Sequence, residues 1–298
     1  MRRAAVFPVT FLLLALPLFA VSADNGGHPL SIWLAEGDHN RVYLLGSVHM
    51  LRESDHPLPS VIDSAYDDAE SLVMEIDMDD FDAAASQALV TKLGVIHDAG
   101  TLRDLMGDDL YNQAAQAALE LDIPLEMLAK TEPWLAAMTV SQLVLNRIGF
   151  DPLYGVEMHL LAKAGKDGKE IRGFESVEQQ LNFLDGLSLS LQRDLLMQAL
   201  AEGSNIQEVM NNLIDAWRNG DLHFLEENML AKMARYPELY QSLVVDRNQR
   251  WVESISALLD DDDNYLIVVG ALHLVGDDGL PEMLSRRGVR VNQMHQPE

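Results

Sequence analysis

Polar and apolar residues alternate near the start of the chain in the pattern of two short strands. The alternating segments are Ser31–Glu36 and Arg41–Leu45, and turn-forming residues at 37–40 join them. Because successive side chains of a strand point to opposite faces of a sheet, this alternation predicts a β-hairpin. Apolar residues then recur at helical spacing between 61 and 69, and an apolar run at Ser71–Ile76 predicts a third strand.

The middle of the chain has a different pattern, since most of it from about Phe81 to Asp260 shows helical spacing. One short strand, Glu170–Phe174, interrupts these helices. The last part returns to strands at Asn264–Val269 and Val289–Asn292, with a helix from about Gly279 to Arg286 between them. This order predicts an α/β fold: a mixed central sheet built from the N- and C-terminal segments, covered by a large helical insertion at about residues 81–260.

The N-terminus has the pattern of a secretory signal peptide. Arg2 and Arg3 precede an apolar run at Ala4–Ala20, and small residues follow up to Ala23. Two prolines interrupt the run, which is shorter than the roughly 20 residues of a membrane span. We therefore expect cleavage after Ala23, no stable membrane anchor after cleavage, and a single domain over residues 24–298.

The cysteine count limits the expected cellular location, and the net charge limits the classes of partner that the protein can bind. The chain has no cysteine, so lipoprotein attachment and disulfides are excluded, and a periplasmic or secreted protein is expected. The formal net charge is −26, and the loss of Arg2 and Arg3 with the signal peptide would make it −28. Such a surface repels phosphate groups, which disfavours nucleic acid and anionic lipid. A peptide, a neutral small molecule or a metal ion fits better.

Candidate chemistry begins with the spacing Gly-x-x-His, which occurs four times. Two occurrences, ending at His97 and His223, lie in helical or capping contexts. The other two, Gly46–His49 and Gly270–His273, directly follow apolar strands. Open α/β sheets bind ligands beyond the C-terminal ends of their strands. Glycine there lets the backbone turn sharply and lets a ligand approach closely.

Carboxylates complete the candidate site. Glu75 lies near the end of the third predicted strand, and Asp77 follows on the same face. Two imidazoles and one or two carboxylates form a nitrogen and oxygen site suited to a divalent transition metal, zinc included. The same groups also suit a metal-free acid/base pair. Neither a Gly-x-Ser-x-Gly elbow nor a cysteine is present, which disfavours a serine-elbow or thiol hydrolase.

Several segments together resemble the TraB/GumN family, which is related to the Tiki proteases. The resemblance extends from about Leu30 to Asn292. It is carried by Leu44–His49, Leu72–Asp77, Gly155–Leu160, Gly173–Leu181, Ala216–Asp221, Arg247-Asn248 and Val269–His273.

The resemblance implies a fold shared with erythromycin esterases and ChaN-like proteins. For the Tiki branch it implies metal-dependent proteolysis that prefers manganese or cobalt. His49 and His273 match the paired Gly-x-x-His motifs, Glu75 matches the acidic residue after the second strand of the pattern, and Arg247 matches a helical arginine. The sequence departs from the pattern in having Glu157 where many relatives carry Asp, and in lacking a C-terminal membrane anchor.

Structural roles remain as alternatives for these residues. The two histidines could be buried and bonded to backbone carbonyls, and Glu75 could simply pair with Arg247. Glu175 and Glu178 are candidate supporting residues, but they could equally belong to a helix cap, because Ser176–Gln179 has the capping-box pattern. We interpret the remaining histidines as structural or surface residues.

The resulting hypothesis is metal-assisted hydrolysis of peptide bonds. His49, His273 and Glu75 would hold the ion, and Arg247 would stabilise the oxyanion or bind a substrate carboxylate. A second hypothesis is a metal-free, esterase-like hydrolase in which Glu75 orients His49 as general base. A third is a non-enzymatic periplasmic binding or regulatory protein. The sequence indicates neither the substrate nor the oligomeric state.

Overall fold

The computed structural model describes residues 29–78, 80 and 82–295. The predicted signal peptide, residues 1–23, lies outside the described residues. Within the described ranges, no helix is both long enough and apolar enough to cross a membrane.

The predicted hairpin is confirmed. Strand β1 (Pro29–Glu36) runs antiparallel to β2 (Arg41–Ser47), with Trp33 opposite Leu44. A distant segment stabilises the turn between them, because Asn40 Nδ2 donates to the backbone carbonyls of Leu258 and Asp263.

The other strands are β3 (Ser71–Ile76), β4 (Glu170–Glu175), β5 (Tyr265–Gly270) and β6 (Arg290–His295). In the described part of the chain they form one six-stranded sheet with β1 and β2, in the order β4-β3-β5-β2-β1-β6. The four strands β4, β3, β5 and β2 are parallel, whereas β1 is antiparallel to both of its neighbours. The predicted mixed sheet is confirmed, and the short strand inside the insertion forms one of its edges.

Helices fill the segments between these strands. The α-helices of the described residues are α1 (Ser60–Asp68), α2 (Ala83–Gly94), α3 (Leu102–Met106), α4 (Asp108–Glu120), α5 (Pro133–Arg147), α6 (Val156–Asp167), α7 (Val177–Asp185), α8 (Leu189–Glu202), α9 (Ile206–Arg218), α10 (Leu222–Leu225), α11 (Ala231–Met233), α12 (Pro237–Tyr240), α13 (Asp246–Leu259) and α14 (Leu280–Arg286). Two π-helical turns, Glu226–Leu230 and Gln241–Val245, are continuous with their neighbouring helices.

Apolar helix faces cover the sheet on both sides. Leu45 and Val268 pack on one side with residues of α1, α6 and α9, whereas Leu44 and Ile267 pack on the other side with residues of α13 and α14. Because both faces of the central strands are buried, β5 is a continuous apolar run rather than an alternating one. The α/β class predicted from the sequence is confirmed.

Much of the insertion has a separate apolar core. Buried residues of α3, α4, α5 and α8, among them Leu102, Tyr111, Val140 and Leu196, pack together there. The insertion therefore does more than cover the sheet, since it contains a packed helical body of its own.

Candidate active site

Two neighbouring parallel strands bring the two Gly-x-x-His segments together. Ser47 of β2 lies opposite Gly270 of β5, so His49 and His273 emerge from the same edge of the sheet. β3 flanks β5 on its other side and supplies Glu75. A Cβ atom placed on Gly270 would lie 3.4 Å from Glu75 Oε1, 3.6 Å from His49 Nε2 and 3.7 Å from His273 Cδ2. The three side chains thus converge on the space that this glycine leaves open.

The first glycine of the pair has a packing role. A Cβ on Gly46 would lie 3.0 Å from Ala271 Cα, closer than such contacts normally are. The carbonyl of Gly46 also accepts a hydrogen bond of 2.6 Å from Trp217 Nε1. Gly46 therefore lets the two histidine-bearing turns lie against each other.

His49 forms a dyad with a carboxylate that the sequence did not assign to the site. Its Nδ1 lies 2.7 Å from Glu157 Oε1, which also accepts a hydrogen bond from Ser47 Oγ. The Glu157 charge raises the pKa of His49, although 64% of the His49 side chain is exposed and water weakens the pair. With the Nδ1 proton directed at Glu157, Nε2 faces the space beside Gly270.

Helix α6 supplies Glu157 because its first turn is docked on the His49 loop. The Val156 N–H donates to the Val48 carbonyl at 3.2 Å, and a Cβ on Gly155 would collide with the His49 carbonyl. Burial of Glu157 opposes its ionisation, but the His49 charge and the hydrogen bonds from His49 and Ser47 outweigh burial and lower the pKa of Glu157.

His273 has the opposite environment to His49. Its ring is buried, and Nδ1 lies 2.7 Å from Asn248 Oδ1. The Asn248 amide nitrogen donates to the carbonyls of His273 and Asp278, so Oδ1 is the atom that faces the ring and Nδ1 carries the proton. Burial lowers the pKa of His273 to about 3, which keeps the ring neutral and leaves a lone pair on Nε2.

Glu75 is held in one orientation from three sides. Oε1 accepts from the Gly270 N–H at 2.8 Å, whereas Oε2 accepts from Arg247 Nη2 at 2.6 Å and from Gln180 Nε2 at 3.0 Å. Burial opposes ionisation, but the neighbouring His273, Arg247 and His49 side chains together lower the pKa of Glu75 to about 2. Because burial keeps His273 neutral, the ionised carboxylate depends mainly on Arg247.

Arg247 is a buried connecting residue. Its Nε donates to both oxygens of Glu175, and Nη2 contacts both Glu75 and Glu175. Nη1 donates to the Leu243 carbonyl at 3.4 Å and lies 3.2 Å from His273 Nε2. Every guanidinium nitrogen thus has a partner within the protein, which supports a positioning role. The predicted oxyanion role stays a prediction.

The supporting residues named from the sequence divide into two groups. Glu175, at the end of β4, belongs to the buried cluster through Arg247. Glu178 is exposed in the first turn of α7, whose capping box is formed by Ser176 and Gln179. Asp77 Oδ1 accepts a long hydrogen bond, 3.4 Å, from the Asp80 N–H. The predicted capping box is therefore confirmed in Ser176 and Gln179, and neither Glu175 nor Glu178 is one of its members.

The three candidate site residues at the edge of the sheet, His49, Glu75 and His273, each contact a residue of the helical insertion. The pairs are His49 with Glu157, Glu75 with Arg247, and His273 with Asn248. The sequence predicts site roles for four of these six residues, but not for Glu157 and Asn248. Both occur in the segments that carry the family resemblance, and that position was the available signal.

An open cleft of about 300 Å³ gives access to this edge of the sheet. Its lining combines polar groups of the cluster with apolar walls, and the residues are His49, Met74, Glu75, Ile76, Met78, Pro152, Glu157, Met158, Gln180 and Val268. A largely apolar cleft with a few convergent polar groups is typical of a site for a small ligand or a peptide segment.

The donor chemistry fits a divalent transition metal. His49 and His273 both present Nε2, because Glu157 and Asn248 hold the Nδ1 protons, and Glu75 adds a carboxylate oxygen. Among the residues the structure describes, however, no three His, Asp or Glu side chains are already grouped as ligands of one ion. An ion would also have to replace the contact of Arg247 with His273 Nε2.

Comparison with known proteins gives a family-level match. The model of the TraB/PrgY/gumN family matches residues 31–293. The uncharacterized protein YbaP of Escherichia coli (strain K12) is 25% identical over 246 residues, which cover 81% of this chain and 87% of that protein. An uncharacterized protein of Treponema pallidum (strain Nichols) is 26% identical over 215 residues, or 68% of this chain and 63% of the relative.

A further relative has a name that describes an activity. Metalloprotease TIKI2 of Danio rerio is 26% identical over 166 residues, which cover 46% of this chain and 32% of that protein. No solved structure matches the chain with comparable significance. The likeness to erythromycin esterases and ChaN-like proteins therefore stays a prediction.

Proposed function

Since this chain belongs to the TraB/PrgY/gumN family, we propose that it is a metal-dependent hydrolase that cleaves peptides, with His49, Glu75 and His273 as its site. The observation that carries the proposal is the convergence of these three side chains beside Gly270. The metalloprotease name of one distant relative supports the same class of reaction.

The residues of the chain provide two imidazoles with different tasks. His273, buried and neutral, presents a fixed lone pair, and Glu75 is held with Oε1 beside Gly270. These two groups and His49 Nε2 would hold the ion, which when bound would polarise a substrate carbonyl and lower the pKa of bound water. Glu157 and Asn248 fix the ring orientations, and such partners strengthen histidine ligands.

The direct test is the metal content of the mature protein, residues 24–298, purified without chelator. We expect near-stoichiometric manganese, cobalt, zinc or iron by elemental analysis, and its loss in a His49→Ala, His273→Ala double variant. Peptide mixtures incubated with the metal-loaded protein should yield cleavage products by mass spectrometry, and the double variant should not produce them.

The chain offers a matched control. His97 and His223 also end Gly-x-x-His segments, but they do not follow strands of the sheet. A His97→Ala, His223→Ala variant should keep both metal and activity. Absence of metal in the wild-type protein, with none gained after addition of manganese or cobalt, would contradict the metal-dependent proposal.

The 2.7 Å contact between His49 and Glu157 favours a metal-free hydrolase as second candidate. Here His49 in its unprotonated form would be the general base for water, oriented by Glu157 rather than by Glu75 as first hypothesised. Because Glu157 raises the pKa of His49, hydrolysis by this route would increase with pH as His49 loses its proton. Chelator separates the two candidates. Hydrolysis that survives chelator but disappears in His49→Ala would favour the metal-free route, whereas chelator-sensitive hydrolysis that returns with metal would favour the first. If the wild-type protein binds peptides but hydrolyses none of them, it is a binding protein.

A further inference from the structure

A second cavity includes in its lining Met50 and Leu272, the sequence neighbours of the two site histidines. Its volume is about 480 Å³, and its walls are mainly apolar. Residues from several parts of the chain form these walls, including Met50, Trp134, Met138, Leu145, Met233 and Leu272. Cavities of this size hold small-molecule ligands or several side chains of a peptide.

The cavity and the candidate site share backbone. Met50 directly follows His49, and Leu272 directly precedes His273. Leu243 also lines the cavity, and its carbonyl accepts a hydrogen bond from Arg247 Nη1. Both histidine-bearing turns and the helical segment that contacts Arg247 therefore contribute to the cavity wall.

The walls of the cavity contain flexible side chains. Four methionines line the cavity, and methionine can fit differently shaped apolar groups because its side chain is unbranched and flexible. Met229 and Leu243 belong to the two π-helical turns. Such turns are rare and occur frequently at functional sites. The segment is irregular where it meets the cavity, which is unexpected if the cavity is merely a packing gap.

We propose that this cavity is a subsite for a large apolar side chain of the substrate peptide, of the size of leucine, methionine or phenylalanine. The inference rests on the proposed function, because it assigns to the same site a preference among peptides. The lining is mainly apolar and favours an apolar side chain, since burial of a polar group without a partner is costly. The lining also contains polar residues, among them Ser141, Glu202 and Lys232.

The proposal can be tested without hydrolysis, with the His49→Ala, His273→Ala variant as the binding protein. The probes are two fluorescently labelled peptides of eight glycine and serine residues with one central residue, either phenylalanine or alanine. Fluorescence anisotropy should show that the phenylalanine peptide binds about tenfold more tightly or better, a difference typical of a filled apolar pocket.

Two added substitutions locate the preference. Ser141 is an exposed residue of α5 at the cavity, so Ser141→Trp should fill it and abolish the difference between the peptides. Met138, 48% exposed, tolerates a polar replacement, and Met138→Gln should weaken the preference without affecting the fold. The matched control is Ser64→Trp, at an exposed position of α1 outside the cavity, which should leave the preference unchanged.

The outcomes separate this inference from the function on which it rests. Equal affinities for the two peptides, or no effect of either cavity substitution, would overturn the subsite. Preferential binding with no hydrolysis by the wild-type protein would keep the subsite and remove the enzyme. A dimer that dissociates in Ser141→Trp, seen by sedimentation, would assign the cavity to a second copy of the chain and overturn the proposal.

Discussion

At the scale of the residue, the two site histidines differ in the protonation state that their surroundings favour. The Glu157 carboxylate raises the pKa of the exposed His49, whereas burial lowers the pKa of His273. Around neutral pH, His49 therefore tends to carry a proton and His273 does not. Pairs of titratable groups driven in opposite directions are frequent in active sites, because one can donate a proton while the other accepts or ligates.

The pKa of His49 leads to a prediction for Glu157→Gln. Without the carboxylate charge, we expect the His49 midpoint, followed by NMR of the ring protons in metal-free protein, to fall by about one unit or more. A raised pKa in the folded state stabilises the protein below the unfolded value near 6.5, and this contribution is lost as pH rises through the folded pKa. The stability difference between wild type and variant should therefore be larger at pH 6 than at pH 9. An unchanged His49 midpoint would contradict the dyad.

Gly270 permits a sharper residue-level prediction. Its φ of −51° and ψ of 137° suit any residue, and an added Cβ would meet the three site side chains at ordinary contact distances. Gly270→Ala should therefore fold with a stability within about 1 kcal/mol of wild type. Hydrolysis and metal binding should fall by about tenfold or more, because a methyl group would occupy the shared space.

The control for this substitution is Gly165→Ala in α6, where an added Cβ meets nothing within 4 Å. That variant should keep full activity and gain slight stability from the better helix propensity of alanine. Full activity in Gly270→Ala would mean that the reacting groups do not meet beside this glycine.

At the scale of the element, helix α13 contacts three segments at the edge of the sheet that carries the site. Its first turn carries Arg247 and Asn248, which contact residues from β3, β4 and the turn after β5. One helix thus fixes Glu75, Glu175 and His273 at once. A charged residue inside an otherwise apolar helix face is explained by this connection.

Two arginines of α13 contact the same glutamate and differ in burial, which makes them a matched pair. Arg247→Ala would leave Glu75 buried without its arginine and Glu175 with only the half-exposed Arg250, and we expect a loss of about 3–5 kcal/mol in the free energy of unfolding. Arg250 is half exposed, so Arg250→Ala should cost less than about 1 kcal/mol. Urea unfolding monitored by circular dichroism gives both values. Equal losses in the two variants would contradict the assignment of Arg247 as the buried connector.

The elements also show what sequence patterns can predict. Apolar runs located every strand of the central sheet within a few residues, and the strand-end positions of His49 and His273 followed from them. The partnership of Glu157 did not follow, because it depends on how α6 docks against the His49 carbonyl, a contact between distant segments. The two π-helical turns were equally unpredictable, since hydrophobic spacing does not distinguish them from ordinary helix.

At the scale of the whole molecule, acidic residues outnumber basic ones and the formal net charge is −26. If the chain binds peptides as proposed, this charge should attract cationic peptides before contact and repel acidic ones. Salt screens such attraction over about 10 Å at 0.1 M ionic strength. The chain should therefore select among peptides by charge before contact and by apolar side chains after it.

This separation can be measured in stopped-flow experiments with the inactive double variant. A phenylalanine peptide flanked by lysines should associate faster than one flanked by glutamates, and its association rate should fall as salt is added. The dissociation rate should change much less. Identical association rates at low salt would show that the acidic surface has no role in capture.

The pairing of every sheet-edge residue with a residue of the insertion also has a consequence for folding. His49 and Glu157 are more than one hundred positions apart in sequence, and Glu75 and Arg247 are separated by 172. The sheet joins segments that are further apart still, since Val42 of β2 pairs with Tyr265 of β5. Closing such long loops is entropically costly, and contacts of this kind slow folding. Neither half of the chain holds a complete set of site residues, so the site would be assembled only when the N- and C-terminal segments and the insertion have all come together.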